Sequence, residues 1–174
     1  GQDLRYSEEK MASSWNYINK IWNISRFIQI NLNNTGYNDE EIDSTKLLTI
    51  DKWILSKMNS LIENVNNLYE NYELGEVAKA IYNFTWDDLA SWYLELTKVT
   101  FANGTKEEQI NTCAVLKTVL TTVIKLLHPF MPFVTEEIYN MLPIKESESI
   151  MISNYPKCNE EFIFEDNSLD LIID

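Results

Sequence analysis

The sequence has few of the residues that interrupt helices. It contains only four glycines and four prolines among 174 residues. An all-β protein of this size would need a turn about every 8–12 residues. The long segments that are nearly free of both residue types therefore predict helices.

Cysteine and histidine are scarce as well. Cys113, Cys158 and the single His128 lie far apart and have no ligand-type spacing, so we predict no metal site. Two isolated cysteines do not form a disulfide framework, which favours a reducing compartment and a cytoplasmic location. His128 directly precedes Pro129, where we interpret it as the C-terminal cap of a helix.

The sequence also lacks long apolar runs and an excess of positive charge. No run approaches the roughly 18–20 residues of a membrane span, so we expect no membrane partner. The net charge is −13, whereas general nucleic-acid binders are basic. Any contact with RNA must therefore come from a local patch that reads shape, stacking and base edges.

No sequence motif indicates catalysis. Glycine-rich phosphate-binding loops are missing, and His128 has no recognisable nucleophile motif to serve. Asp87, Asp88 and Glu95 could share one side of a helix, but we interpret them as a solvated or capping surface rather than an acid–base pair. The sequence therefore predicts no catalytic residue.

Hydrophobic residues are plentiful at 45% of the sequence, which indicates a packed core. Their spacing of three and four predicts amphipathic helices, and Thr105 with Glu108 forms a capping box. We expect an all-α, antiparallel bundle of about five helices over residues 1–143, followed by an irregular tail over 144–174. The predicted helices cover 8–32, 50–72, 75–98 with a bend near Thr85 and Trp86, 105–127, and 135–142, the last capped by Thr135.

The first predicted helix carries a polar strip next to an aromatic residue. Amides can pair with base edges, Lys and Arg can reach phosphates, and an aromatic ring can stack on an unpaired base. The spacing alone leaves two interpretations open, an RNA-binding face and an ordinary solvated face. The residues concerned are Asn16, Asn19, Lys20, Asn23, Arg26 and Phe27.

Several segments, in order along the chain, resemble the valyl-tRNA synthetases, a family of class I synthetases. Residues 19–27 read NKIWNISRF and residues 51–56 read DKWILS. Residues 86–95 read WDDLASWYLE, and residues 127–138 read LHPFMPFVTEEI. The isoleucyl enzymes share much of this architecture, but segments 19–27 and 86–95 favour the valyl family. Trp15 differs from the family, which commonly has a basic residue there.

The resemblance implies the anticodon-binding domain of an enzyme that ligates valine to its tRNA. It places Asn16, Asn19, Lys20, Asn23 and Arg26 in contact with the anticodon arm and gives Phe27 a stacking role. The tryptophans at 15, 22, 86 and 92 are expected in the core. ATP and Mg²⁺ would belong to catalytic parts elsewhere in the parent enzyme, alongside an editing domain, and this segment would hold no cofactor. We expect a monomer. The alternatives are the same domain of an isoleucyl enzyme and a helical protein-interaction domain.

Overall fold

A computed structural model describes residues 15–142, 156–162 and 164, and it confirms the predicted all-α bundle. The described part contains no strand. The helices are α1 Trp15–Thr35, α2 Thr49–Glu70, α3 Leu74–Asn83, α4 Leu94–Asn103, α5 Lys106–Leu127 and α6 Pro132–Met141. A π-helical segment, Phe84–Tyr93, joins α3 to α4 without a break, so these three pieces form one rod and the described bundle has five rods.

Helix α5 lies at the centre of the bundle and packs against α1, α2, α3, α4 and α6. Its buried residues occur on nearly all sides, as expected of a helix surrounded by others. The expectation that no apolar run approaches a membrane span does not hold for α5, which by length and composition alone could cross a membrane. Most of its apolar window is buried inside the bundle, so the same residues serve as core.

Helix α1 faces the core with a stripe that includes Tyr17. Ile21, Ile24 and Ile28 are buried and Tyr17 is fully buried, while Ile18 and Trp22, a tryptophan expected in the core, are only partly buried. Ile18 and Trp22 lie one position after Tyr17 and Ile21, about 100° further around the helix. Packing against α5 and the π-helical segment selects between these neighbouring stripes.

The predicted capping box at the start of α5 is confirmed. The Glu108 backbone N–H donates to Thr105 Oγ1 over 3.1 Å, and the Thr105 N–H donates to the Glu108 carboxylate over 2.9 Å. The predicted cap of the last helix is wrong. Helix α6 already begins at Pro132, which needs no N–H donor in the first turn. The Thr135 hydroxyl instead donates to the Met131 carbonyl and lies 2.9 Å from His128 Nδ1, at the cap of α5.

Two helices end in the same backbone motif with different residues at its centre. After α1, Tyr37 N–H donates to Leu32 O while Gly36 has a φ of +71°. After α2, Glu73 N–H donates to Leu68 O while Tyr72 has a φ of +58°. This left-handed position normally favours glycine. Tyr72 therefore holds a strained backbone conformation with its side chain 87% exposed.

The predicted bend near Thr85 and Trp86 is a π-helical segment, and the helix continues past the expected end at Lys98 to Asn103. Its wider turns bond each N–H to the carbonyl five residues earlier, as the Leu94 N–H does to Leu89 O. Side chains beyond Thr85 are therefore rotated from the positions that a regular α-helix would give them.

Part of the C-terminal tail packs on α2. The Asn59 side chain donates to the Asn159 carbonyl over 2.7 Å and accepts from the Asn159 N–H over 3.1 Å. Phe162 is buried, and its carbonyl accepts from Ser56 Oγ. The expected start of the first helix near residue 8 and most of the tail predicted over 144–174 lie outside the described residues, and the boundary at 143/144 stays a prediction.

One carboxyl group is buried where three elements meet. Asp51, in the first turn of α2, is fully buried and accepts from the Tyr93 hydroxyl over 2.6 Å. The Thr112 hydroxyl of α5 lies 3.1–3.2 Å from both carboxylate oxygens. Burial raises the pKa of Asp51 to about 6, although these donors lower it. Asp51 therefore joins α2, the π-helical segment and α5 in the core.

Candidate nucleic-acid interface

The polar strip predicted on α1 lies on the outside of the bundle. Asn16, Asn19, Asn23 and Arg26 are exposed, and Lys20 is half-buried. The opposite side of the helix is fixed by its buried core residues, which prevent rotation of the strip toward the core. The helix thus presents amide and cationic groups to solvent on a rigid support.

Helix α1 differs in charge from the rest of the chain. It contains Lys20 and Arg26 and no aspartate or glutamate. Its charge is +2 in a chain of net charge −13, so the remaining residues carry −15. Within the described part of the chain, no ion pair includes either cation. The strip is therefore a local cationic patch on an acidic molecule, where a polyanion meets the least repulsion.

Phe27 is packed more closely than a free stacking platform would be. Its ring is half-buried against the hydrophobic core, and its carbonyl accepts from the Asn31 side chain over 2.9 Å. Only part of the residue is therefore accessible to a base. Phe27 can therefore support a base at one edge of the strip, held in position by the core behind it.

A stack of aromatic rings connects α1 to the next rod. The rings of Tyr17 and Tyr82 stack with centroids 4.8 Å apart, and those of Tyr82 and Trp86 with centroids 5.7 Å apart. Lys20 Nζ lies over the Trp86 ring, 5.0 Å from its centroid. Trp86 was expected in the core, yet it is only half-buried and touches Lys20 of the strip. Its spacing of four from Tyr82 was the available signal for a stacked pair.

The expectation that the other tryptophans lie in the core holds only in part. Trp22 is partly buried against the core, and the side chain of Trp15 lies outside the described part of the chain. The prediction that Trp92 is a core residue is wrong, since 41% of it is exposed. The π-helical turns direct its neighbour Tyr93 into the core instead.

Two of the acidic groups considered as catalytic candidates, Asp87 and Glu95, lie on the surface. Asp87 is exposed, and Glu95 forms an ion pair with Lys98 at 2.9 Å on the surface of α4. Among residues 15–142, 156–162 and 164, no three His, Cys, Asp or Glu side chains form a metal-binding group. His128 is half-buried at the end of α5, bonded to Thr135.

One family of known proteins matches the chain from α2 onward. The family described as "Anticodon-binding domain of tRNA ligase" matches residues 51–174, which is most of the chain. The chain belongs to this family of anticodon-binding domains.

Curated relatives narrow the class further. The chain is 49% identical over 162 residues to the valine–tRNA ligase of Listeria innocua, which covers 92% of the chain. It is 46% identical over 168 residues to the valine–tRNA ligase of Staphylococcus haemolyticus, which covers 96% of the chain. The chain spans only 18–19% of the length of these relatives. It is therefore similar to one domain of much larger enzymes.

Proposed function

We propose that this chain binds the anticodon arm of a valine tRNA and serves a valine–tRNA ligase as its anticodon-binding domain. The cationic strip of α1 carries the proposal, because it is an exposed, acid-free surface on a strongly acidic domain. Relatives at 45–49% identity that are named valine–tRNA ligase support the choice of tRNA. They also favour it over an isoleucine tRNA or a protein partner.

Each group of the strip has a role suited to its chemistry. Arg26 and Lys20 contact phosphates or base edges, while Asn16, Asn19 and Asn23 read bases through amides that both donate and accept. Phe27 stacks against an unpaired base with its open edge. Single-stranded anticodon bases offer the edges that such side chains need.

The remaining functions of the parent enzyme lie with other domains of the same polypeptide. A catalytic domain there would join valine to tRNA, using ATP and Mg²⁺, an editing domain would accompany it, and this domain would orient the tRNA toward them. We further propose that the enzyme acts in the cytoplasm as a monomer. This domain itself contributes binding and specificity.

A titration with RNA hairpins tests the proposed function. The 174-residue chain should bind a hairpin with a valine anticodon more tightly than a matched hairpin with an isoleucine anticodon. Arg26→Ala removes a cationic contact and should weaken binding about 10-fold or more, in line with a charge-assisted contact of roughly 1.5–3 kcal/mol. Lys98→Ala, a cation on α4 paired with Glu95, is the matched control and should leave affinity unchanged. Equal affinity for both hairpins, or no effect of Arg26→Ala, would contradict the proposal.

A further inference from the structure

A half-buried indole beside the strip has no part in the function proposed so far. Trp86 lies on the π-helical segment, on a different rod from the strip, and its ring is neither enclosed in the core nor free. π-Helical segments often occur at functional sites because they move side chains out of α-helical register. Here the segment brings Trp86 next to Lys20.

The support behind Trp86 makes it a rigid surface. Tyr82 stacks on Trp86 with an interplanar angle of 16°, and Tyr17 stacks on Tyr82 from α1. Tyr17 is fully buried, and its hydroxyl lies 3.5 Å from Thr85 Oγ1 in the π-helical segment. The stack therefore begins in the core and ends at the surface. A ring held in this way loses little freedom when a ligand stacks on it.

Lys20 occupies a position in which a nucleobase could replace it. Its ammonium lies over the indole at 5.0 Å, a typical cation–π distance. None of the ion pairs between described residues holds it there. The flexible four-carbon stem lets the ammonium leave the ring and reach a phosphate.

The neighbouring charges favour one orientation of an RNA strand. Asp87 follows Trp86 and is exposed, so a phosphate beyond the indole would be repelled. Lys20 and Arg26 on α1 attract phosphates on the other side. An uncharged base can lie on Trp86 near Asp87 without repulsion. Its phosphate then points toward α1, where Lys20 and Arg26 attract it.

We propose that the RNA-binding surface extends from α1 to the π-helical segment, where Trp86 stacks on a nucleobase that displaces Lys20 toward the phosphate backbone. The inference rests on the proposed function. It adds Trp86 to the RNA-binding surface and states that a base displaces Lys20 on binding. Lys20 covers the indole in the free protein and exchanges that contact for a phosphate on binding.

Substitutions at Trp86 test the stacking. Loss of a base–aromatic stack worth 1–3 kcal/mol corresponds to about 5- to 150-fold weaker binding, so Trp86→Leu should weaken binding of the valine-anticodon hairpin by that factor. Trp86→Phe keeps a ring and should retain most of the affinity. Trp92→Leu, an exposed tryptophan of the same segment, is the control and should bind as the unmodified chain does. An equal loss in Trp92→Leu and Trp86→Leu would overturn the inference.

The salt dependence of Lys20→Met separates the exchange from simple packing. If Lys20 moves to a phosphate, this variant loses one phosphate contact. The negative slope of log affinity against log salt should then become less steep by about 0.7–0.9. If Lys20 only covers the indole, the slope stays the same and the inference is wrong. This readout does not depend on whether Trp86→Leu folds, since Trp86 is intact.

The two proposals can fail separately. If Arg26→Ala weakens binding while Trp86→Leu and Lys20→Met match the unmodified chain in affinity and slope, binding is confined to α1. The further inference is then wrong and the proposed function stands. If the unmodified chain binds neither hairpin, both are wrong.

Discussion

Asp51 shows how burial changes the chemistry of a single residue. Its carboxyl group is out of water, and its pKa rises from 3.8 to about 6 despite hydrogen bonds from Tyr93 and Thr112. The folded state therefore holds the proton more tightly than the unfolded state does. Between pH 4 and 6 the folded state binds more protons, so its stability decreases as the pH rises.

The pH dependence of unfolding should show this effect. A pKa shift from 3.8 to about 6 lowers the free energy of unfolding by roughly 3 kcal/mol above pH 7 relative to its value below pH 4. Tyr93→Phe removes a donor to the ionised carboxylate, so we expect it to destabilise the fold more at pH 8 than at pH 5. Urea unfolding at the two pH values measures this, with Tyr82→Phe as a control that should not depend on pH. Equal destabilisation by Tyr93→Phe at both values would contradict the role of the charge.

Tyr72 provides a second test at a single residue. A tyrosine at a φ of +58° is strained where glycine would not be. Relief of left-handed strain of about 1–2 kcal/mol exceeds the roughly 0.5–1 kcal/mol that the flexibility of glycine costs, so we expect Tyr72→Gly to stabilise the domain by about 0.5–1 kcal/mol, measured by thermal unfolding. Gly36→Ala is the reciprocal control at a φ of +71°. Because a Cβ there meets no atom within 4 Å, only backbone strain should destabilise that variant. A loss of stability in Tyr72→Gly would show that the exposed ring stabilises the fold.

At the scale of elements, helix ends and long-range contacts decide the geometry. The capping box of α5 is local and was visible in sequence, whereas the attachment of the tail to α2 joins residues 100 positions apart. Asn59 imitates a peptide group by both donating to and accepting from the backbone of Asn159. This single side chain satisfies two backbone groups of the tail.

Asn59→Ala should release the tail from α2. Losing two hydrogen bonds at a buried residue should destabilise the domain by about 1–3 kcal/mol, and the Asn159 amide should exchange its hydrogen faster. Asn66→Ala, on an exposed position of the same helix, should change stability by less than about 0.5 kcal/mol. Unchanged exchange at Asn159 in Asn59→Ala would show that other contacts, such as those of Phe162 and Cys158, hold the tail.

For the molecule as a whole, charge distribution matters more than net charge. The chain carries a net charge of −13, yet helix α1, which bears the strip, is positively charged and has no aspartate or glutamate. Acidity elsewhere discourages binding to arbitrary nucleic acid, and the patch allows binding in one orientation. Recognition should then depend on bases and shape more than on phosphate.

The salt dependence of hairpin binding should accordingly be weak. Two phosphate contacts, from Lys20 and Arg26, predict a slope of log affinity against log salt between about −1.4 and −1.8. Titration at several salt concentrations measures this value. The double variant Lys20→Met/Arg26→Met should bring the slope close to zero. A slope of about −4 or steeper would place most phosphate contacts elsewhere on the surface.

Local patterns predicted most of the helices, because spacing of apolar residues and caps is written in neighbouring residues. The capping box of Thr105 and Glu108 is an example, and the exposed position of Asn19 follows from the same periodicity. The errors occurred where packing chose among local options. Thr135 could have capped a helix, but Pro132 started it earlier. In the π-helical segment Trp92 is exposed and Tyr93 is buried. The spacing of apolar residues assumes regular α-helical turns and so does not predict this change.

By itself the sequence determined that this protein is a helical bundle with a polar strip on its first helix, because periodicity and composition act over short distances. The sequence also showed the resemblance to the valyl enzymes, because the motifs that carry it are short segments of neighbouring residues. Only the tertiary structure decided that Tyr17, rather than Trp22, is fully buried and that Lys20 meets Trp86. Those contacts join residues distant in sequence, and they depend on how whole helices pack against one another.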